Sequence, residues 1–208
     1  MAFADNTIRD FSMALSSDSP TPGGGSVAAL NGSLAASLLC MVCNLTRGKE
    51  RFRAVEAEVI TLLAEAEKAR DRFSQLMDED ASAFDGVIAA YRMSKESDEE
   101  RGRRKAAIQK GLKRAAQVPL ETAKLGITTL ELAEHLAGIG NPHAITDVGV
   151  AALLAEGAVW GSLLNVEVNA RLLKDEGVRD DFIEEIGRMR EQSSAIRELV
   201  LAEVKERM

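Results

Sequence analysis

Reactive and metal-binding side chains are scarce in this sequence, whose 208 residues include two cysteines, two histidines, one tryptophan and one tyrosine. Cys40 and Cys43 form a Cys-x-x-Cys pair. A redox pair calls for a thioredoxin-like strand-to-helix setting, and a zinc site calls for further ligands. Neither accompanies them, with only His135 and His143 elsewhere, so both thiols read as small core residues. Aromatic residues are 4% of the chain against 46% hydrophobic residues, which leaves Ala, Leu, Val and Ile to build the core. That mixture favours packed helices over sheets. Positive charge is not in excess: the net charge is −7 with both signs dispersed. This argues against a nucleic-acid backbone or an anionic membrane as the main partner, and for a solvated, cytoplasmic surface. No basic segment followed by an apolar run opens the sequence, so no secretory signal is expected. Val27 to Leu45 has the length of a membrane span, but Asn31, Gly32, Ser33 and Ser37 interrupt it, and it reads as a buried helix.

What is present is helical periodicity. The length fits one domain with a sizeable core, residues 1–208. Ile8, Phe11 and Leu15 predict a first helix over Thr7 to Leu15. A second starts within the glycine turn after Pro22 and reaches Thr46, followed by a basic loop, Arg47-Gly48-Lys49. Phe52 to Tyr91 contains no proline and reads as one long helix; Ser97 and Glu100 stand at capping-box spacing for the next, which Pro119 is expected to kink. Gly138 to Pro142 is a turn, Thr146-Asp147 predicts a helix start, and that helix is expected to reach Glu176 and stop at Gly177. Asp180 to Lys205 forms the last. The expectation is an all-α, multi-helix bundle of long antiparallel helices.

Small residues four apart, Ala28-Gly32-Ala36 and Gly157-Gly161, suit close approach of two helices. Asn165 and Asn169 continue the second face, where amides must be bonded to neighbours or to a polar ligand. In Pro20-Thr21-Pro22-Gly23-Gly24-Gly25-Ser26, three glycines before a helix leave backbone N–H groups open to a carboxylate or polarised carbonyl; the bland reading is a stiff helix start. The spacing is not a Walker or dinucleotide fingerprint. Lys49 reads as a solvated charge or a cation at a helix C-terminus, Asp80 as part of a solvated acidic run or a carboxylate turned inward, and Asp147 as a capping acid or a reactive one.

Together these segments resemble the cyclodeaminase and methenyltetrahydrofolate cyclohydrolase family. The likeness lies in Pro20 to Ala29, Asn44-Leu45-Thr46 with Gly48-Lys49, Asp80 to Phe84, Tyr91-Arg92 with Lys95, Gly140-Asn141 to Thr146-Asp147, and Asn165 through Asn169 to Asp175. These blocks keep one order along most of the chain. The resemblance implies an all-helical homodimer that binds folate near the subunit interface and uses no metal or redox cofactor. On that basis Asp147, Lys49 and Asp80 are the expected catalytic residues. Asp147 would stabilise the cationic bridge or take the proton of water, Lys49 would orient water, and Asp80 would assist proton transfer or hold the pterin. Pro22, Gly23, Gly24, Gly25, Ser26, Asn44, Asn141, Thr146, Asn165 and Asn169 are expected to bind substrate, and Tyr91 to stack on a ring or pack at the interface. The chain carries no formiminotransferase segment, which favours the cyclohydrolase over the cyclodeaminase. The remaining alternative is a non-catalytic helical dimerisation module, which a wide separation of the two polar turns would favour.

Overall fold

The computed structural model describes residues 3–208, and among these there are six α-helices, three short 3-10 turns and no strand. The helices are α1 (Ile8–Leu15), α2 (Gly24–Thr46), α3 (Glu56–Arg92), α4 (Asp98–Ile139), α5 (Ile145–Ala170) and α6 (Glu176–Arg207). Local chemistry sets several of their ends. The Thr7 hydroxyl accepts the Asp10 N–H at the start of α1. At the start of α4, Ser97 and Glu100 form the reciprocal capping box that their spacing predicted.

Consecutive long helices, and the α2–α5 pair, run antiparallel. Ser26 meets Met77 and Asp80, and Ser33 meets Ser74, so α3 descends beside α2. Gly24 faces Asn165, and Gly161 faces Ala28, so α5 does the same on the other side. α4 closes the ring between α3 and α5, and α6 covers α4 and α5. Shape explains the closeness. A Cβ on Gly161 would sit 3.2 Å from that of Ala28, so the α2–α5 pair packs as the small-residue spacing suggested. Gly32 serves a different neighbour: the fully buried ring of Phe73 on α3 lies against its backbone. By length and composition, α2 and Pro142–Ala170 are each apolar enough to cross a membrane. In this fold α2 packs against α3, α4 and α5, and α5 against α2, α4 and α6, with about half of each apolar stretch buried.

Three boundaries depart from the periodicity. The segment from Phe52 begins as a 3-10 turn, Glu50–Val55, because the chain first reverses at Gly48, whose φ of 72° only glycine adopts easily. α5 starts at Ile145 rather than at Thr146-Asp147: the turn Pro142–Ala144 leads into it, and the Asn141 side chain accepts the His143 N–H at 3.2 Å. Asp147 then lies in the first helical turn instead of capping it. Finally, α5 stops at Ala170, short of Glu176. The Asp175 carboxylate accepts the Val178 N–H and starts α6, so Gly177 lies inside the new helix. Around Pro119, α4 continues as one helix of 42 residues.

Candidate active site

The N-terminus of α2 forms the floor of a cleft of about 390 Å³ whose walls come from α3, α4 and α5. The Thr21-Pro22 bond is cis, and Gly23 is the N-cap residue, in an extended conformation and without a side-chain cap. Gly23, Gly24 and Gly25 line the cleft with Asp80, Tyr91, Asn165 and Asn169. Four segments far apart in sequence, on α2, α3, α4 and α5, thus converge. Ser26 and Pro22, expected to touch substrate, are buried behind this surface.

Gly25 is required by Asp80. A Cβ at Gly25 would come within 2.1 Å of the Asp80 carboxylate, so the carboxylate rests directly on the first turn of α2. The fully buried Ser26 hydroxyl lies 3.3 Å from Asp80 Oδ2 and 3.0 Å from the Met77 carbonyl. Desolvation pushes the Asp80 carboxyl above the usual aspartate range, while the Ser26 hydroxyl and backbone N–H pull the other way. Its acidic neighbours are engaged elsewhere: Glu79 pairs with Arg72 and Arg114, and Asp78 accepts the Phe3 N–H. Among the described residues, the cleft walls add Leu112, Val168 and Leu172 but no cation.

The two asparagines are oriented by backbone carbonyls. Asn165 Nδ2 donates to Gly161 O at 2.9 Å; Asn169 Nδ2 donates to Asn165 O at 2.8 Å and to Ala115 O at 3.1 Å. Both Asn169 donors are thus used and its oxygen is left as an acceptor, while Asn165 keeps its oxygen and one N–H for the cleft. Tyr91 is half exposed at the mouth, where the Arg104 guanidinium lies 5.8 Å from its ring centre and donates to the Tyr91 carbonyl. The site therefore presents one carboxylate, helix N–H groups, two amide oxygens and an aromatic ring with a cation behind it.

The other expected residues gather elsewhere in the subunit. Asn141 is buried at the far end of α2, donating its backbone N–H to Thr46 Oγ1 and its amide to Leu45 O while accepting from Arg51. Asn44, Lys49 and Thr146 are exposed near that end, and Asp147 is partly buried there. α2 has 23 residues, so at 1.5 Å per residue the two polar clusters stand about 33 Å apart. Sequence reasoning had no way to divide them, because both flank the same helix. It missed Arg104, Ala115 and Leu112, whose only signal is their place on the cleft side of α4. The cysteine reading fits the packing: Cys40 and Cys43 are buried, and burial pushes the Cys43 thiol up to about 12. Among the described residues, no three His, Cys, Asp or Glu side chains gather as a metal-binding group.

A family model described as formiminotransferase-cyclodeaminase matches residues 7–188. The chain is 38% identical over 204 residues to methenyltetrahydrofolate cyclohydrolase of Methylorubrum extorquens, covering 98% of each. It is 32% identical over 203 residues to formimidoyltransferase-cyclodeaminase of Mus musculus, spanning 98% of this chain and 38% of that protein. The fold is similar to that of formiminotetrahydrofolate cyclodeaminase from Thermotoga maritima, with a TM-score of 0.87 and 29% identity, covering 97% of both chains.

Proposed function

Because the chain belongs to the formiminotransferase-cyclodeaminase family, we propose that it is a methenyltetrahydrofolate cyclohydrolase, converting 5,10-methenyltetrahydrofolate and water to 10-formyltetrahydrofolate. The observation that carries this reading is Asp80, a desolvated carboxylate in a cleft whose lining, among the described residues, includes no cation and is mostly apolar and amide groups. The substrate supplies the missing charge, since its bridging carbon lies in a delocalised amidinium between two nitrogens. That carbon is already electrophilic, so the proposed chemistry calls on folate and water alone.

Asp80 faces the amidinium and takes a proton from water as the oxygen bonds to the bridging carbon. The bond from carbon to the pterin nitrogen N5 then breaks, Asp80 returns a proton to N5, and the adduct's hydroxyl proton leaves to solvent as the formyl carbonyl forms on N10. The Gly24 and Gly25 N–H groups and the Asn165 and Asn169 amide oxygens bind the polar edges of the pterin. Tyr91 stacks on the substrate at the mouth, and Arg104 meets its glutamate carboxylate. The likeness to a solved cyclodeaminase favours a second reaction of the same cleft. There N10 attacks a formimino carbon and ammonia leaves.

Asp147 and Lys49 enter this reading only through a second subunit. Leu34, Met41 and Leu45 on α2, with Leu153, Trp160 and Leu164 on α5, are exposed on the face between the two clusters. Such a continuous apolar face suits a homodimer. Antiparallel two-fold docking across it carries the partner's Asp147 end toward the cleft. The separation of about 33 Å, one helix length, counts toward a dimerisation module; the convergence of four segments on one carboxylate, together with enzymatic relatives, counts against it. The deciding assay follows the methenyl absorbance with purified protein, and ammonia release from formiminotetrahydrofolate in parallel. Faster methenyl loss than in buffer supports the cyclohydrolase, ammonia release supports the cyclodeaminase, and inertness to both overturns the enzyme reading.

A further inference from the structure

Pro119 lies in the interior of α4, where a proline lacks the N–H that should bond to the carbonyl four residues earlier. That carbonyl belongs to Ala115, which lines the cleft. It is not left idle: Asn169 Nδ2 reaches across from α5 and donates to Ala115 O at 3.1 Å. The same amide group donates to Asn165 O at 2.8 Å, so both of its N–H bonds are used and its oxygen is the polar atom left for the cleft. Pro119 and Ala115 are both buried, so the carbonyl needs a donor from the protein or from the cleft, and the Asn169 amide supplies it.

We propose that Pro119 is a positioning residue of the cleft: by withholding its own donor it frees the Ala115 carbonyl to hold the Asn169 amide, which fixes the Asn169 oxygen toward the ligand. A proline is costly inside a helix, and no turn or helix end at this position asks for one. The carbonyl it releases falls at the one place on α4 where a cleft side chain from α5 needs an acceptor. With alanine at 119, the helix bond from residue 119 to Ala115 re-forms and the carbonyl turns back into the helix. Asn169 then has to share Ala115 O with that helix N–H, and its amide is held less firmly than by a carbonyl turned toward it alone. That the ligand is a folate rests on the function proposed above; the coupling of Pro119 to Asn169 does not.

The test uses the full chain with Pro119→Ala, Asn169→Ala and the double variant. Alanine is the better helix former, so Pro119→Ala is expected to fold with at least the helicity of the parent. For methenyltetrahydrofolate, its KM should rise about three- to tenfold with kcat nearly unchanged, the scale of one hydrogen bond. The double variant should be no worse than Asn169→Ala alone, because both act on the same contact. Fully additive KM effects, or an unchanged KM for Pro119→Ala beside a raised one for Asn169→Ala, overturn the proposal. A ligand-free readout separates it from the folate assignment: the Asn169 side-chain amide protons, seen by nitrogen-15 NMR, should exchange faster in Pro119→Ala. Unchanged exchange overturns the coupling, whereas faster exchange with no KM effect in Asn169→Ala retains it and removes Asn169 from substrate binding.

Discussion

Replacing Gly25 by alanine adds a single methyl group where the Asp80 carboxylate now lies. The new Cβ would be 2.1 Å from Oδ1 and 2.4 Å from Cγ, against 3.4 Å or more for an ordinary contact, so the carboxylate must withdraw by over 1 Å. Withdrawal takes Oδ2 away from the Ser26 hydroxyl and the first turn of α2. A displacement of that size at a reacting group costs about 100-fold in turnover, which corresponds to roughly 2.7 kcal/mol of transition-state free energy. Folding should survive, because Gly25 is already helical and alanine favours helices by up to about 1 kcal/mol. The assay is the decay of methenyl absorbance in substrate excess, with thermal melting alongside. Gly138→Ala is the control, since its Cβ would meet nothing within 4 Å, and it should leave both unchanged. Turnover of Gly25→Ala within threefold of the parent would refute the placement of Asp80 at the reacting carbon.

Gly32→Ala drives a methyl group into the buried Phe73 ring, 2.3 Å from its nearest carbon, and should destabilise the protein by about 1–3 kcal/mol in urea unfolding; an unchanged midpoint contradicts the α2–α3 packing. Burial raises the Asp80 carboxyl, so the folded state holds this proton to higher pH than the unfolded chain does. Stability is therefore lost as pH rises from the ordinary aspartate value through the raised one. Asp80→Asn should melt above the parent at neutral pH, and the difference should vanish in acid below the ordinary value; a difference that grows toward acid reverses the assignment. If the partner's Asp147 completes the cleft, mixing inactive Asp80→Asn and Asp147→Asn proteins under subunit exchange should restore part of the activity, since some hybrid sites then carry both aspartates. A mixture as inactive as its components, or an Asp147→Asn protein as active as the parent, removes the partner's Asp147 from the cleft.

Most helices were legible in the sequence because caps and periodicity agree locally, as at Thr7 and Ser97. The misplaced boundaries fall where side chains compete with the helix backbone: Asp175 starts α6 within a stretch whose apolar pattern continued through it, and Asn141 holds a 3-10 turn ahead of α5. The glycine turn, Asp80, Tyr91, Asn165 and Asn169 could be named as candidates, and the cleft brings them together. Their ranking could not be read. Asp80 looked like one charge in an acidic run, and only the packing of α3 against Gly25 shows it turned inward while Glu79 turns out to arginines. Asp147 looked stronger because its turn is rich in polar residues, yet Asn141 among them bonds through both its backbone N–H and its amide to the far end of α2. Pro119 read as a kink because its consequence, the free Ala115 carbonyl, is met by a residue 54 positions away.

The most direct measurement of the central claim is single-turnover decay of methenyltetrahydrofolate with Asp80→Asn against the parent, at saturating enzyme. Asparagine keeps the size of aspartate but can neither face the amidinium with a charge nor carry the proton. The account predicts a loss of about 100-fold or more in the rate of the chemical step, the range of a general acid–base group, with substrate still bound. A single-turnover rate equal to the parent's would contradict it.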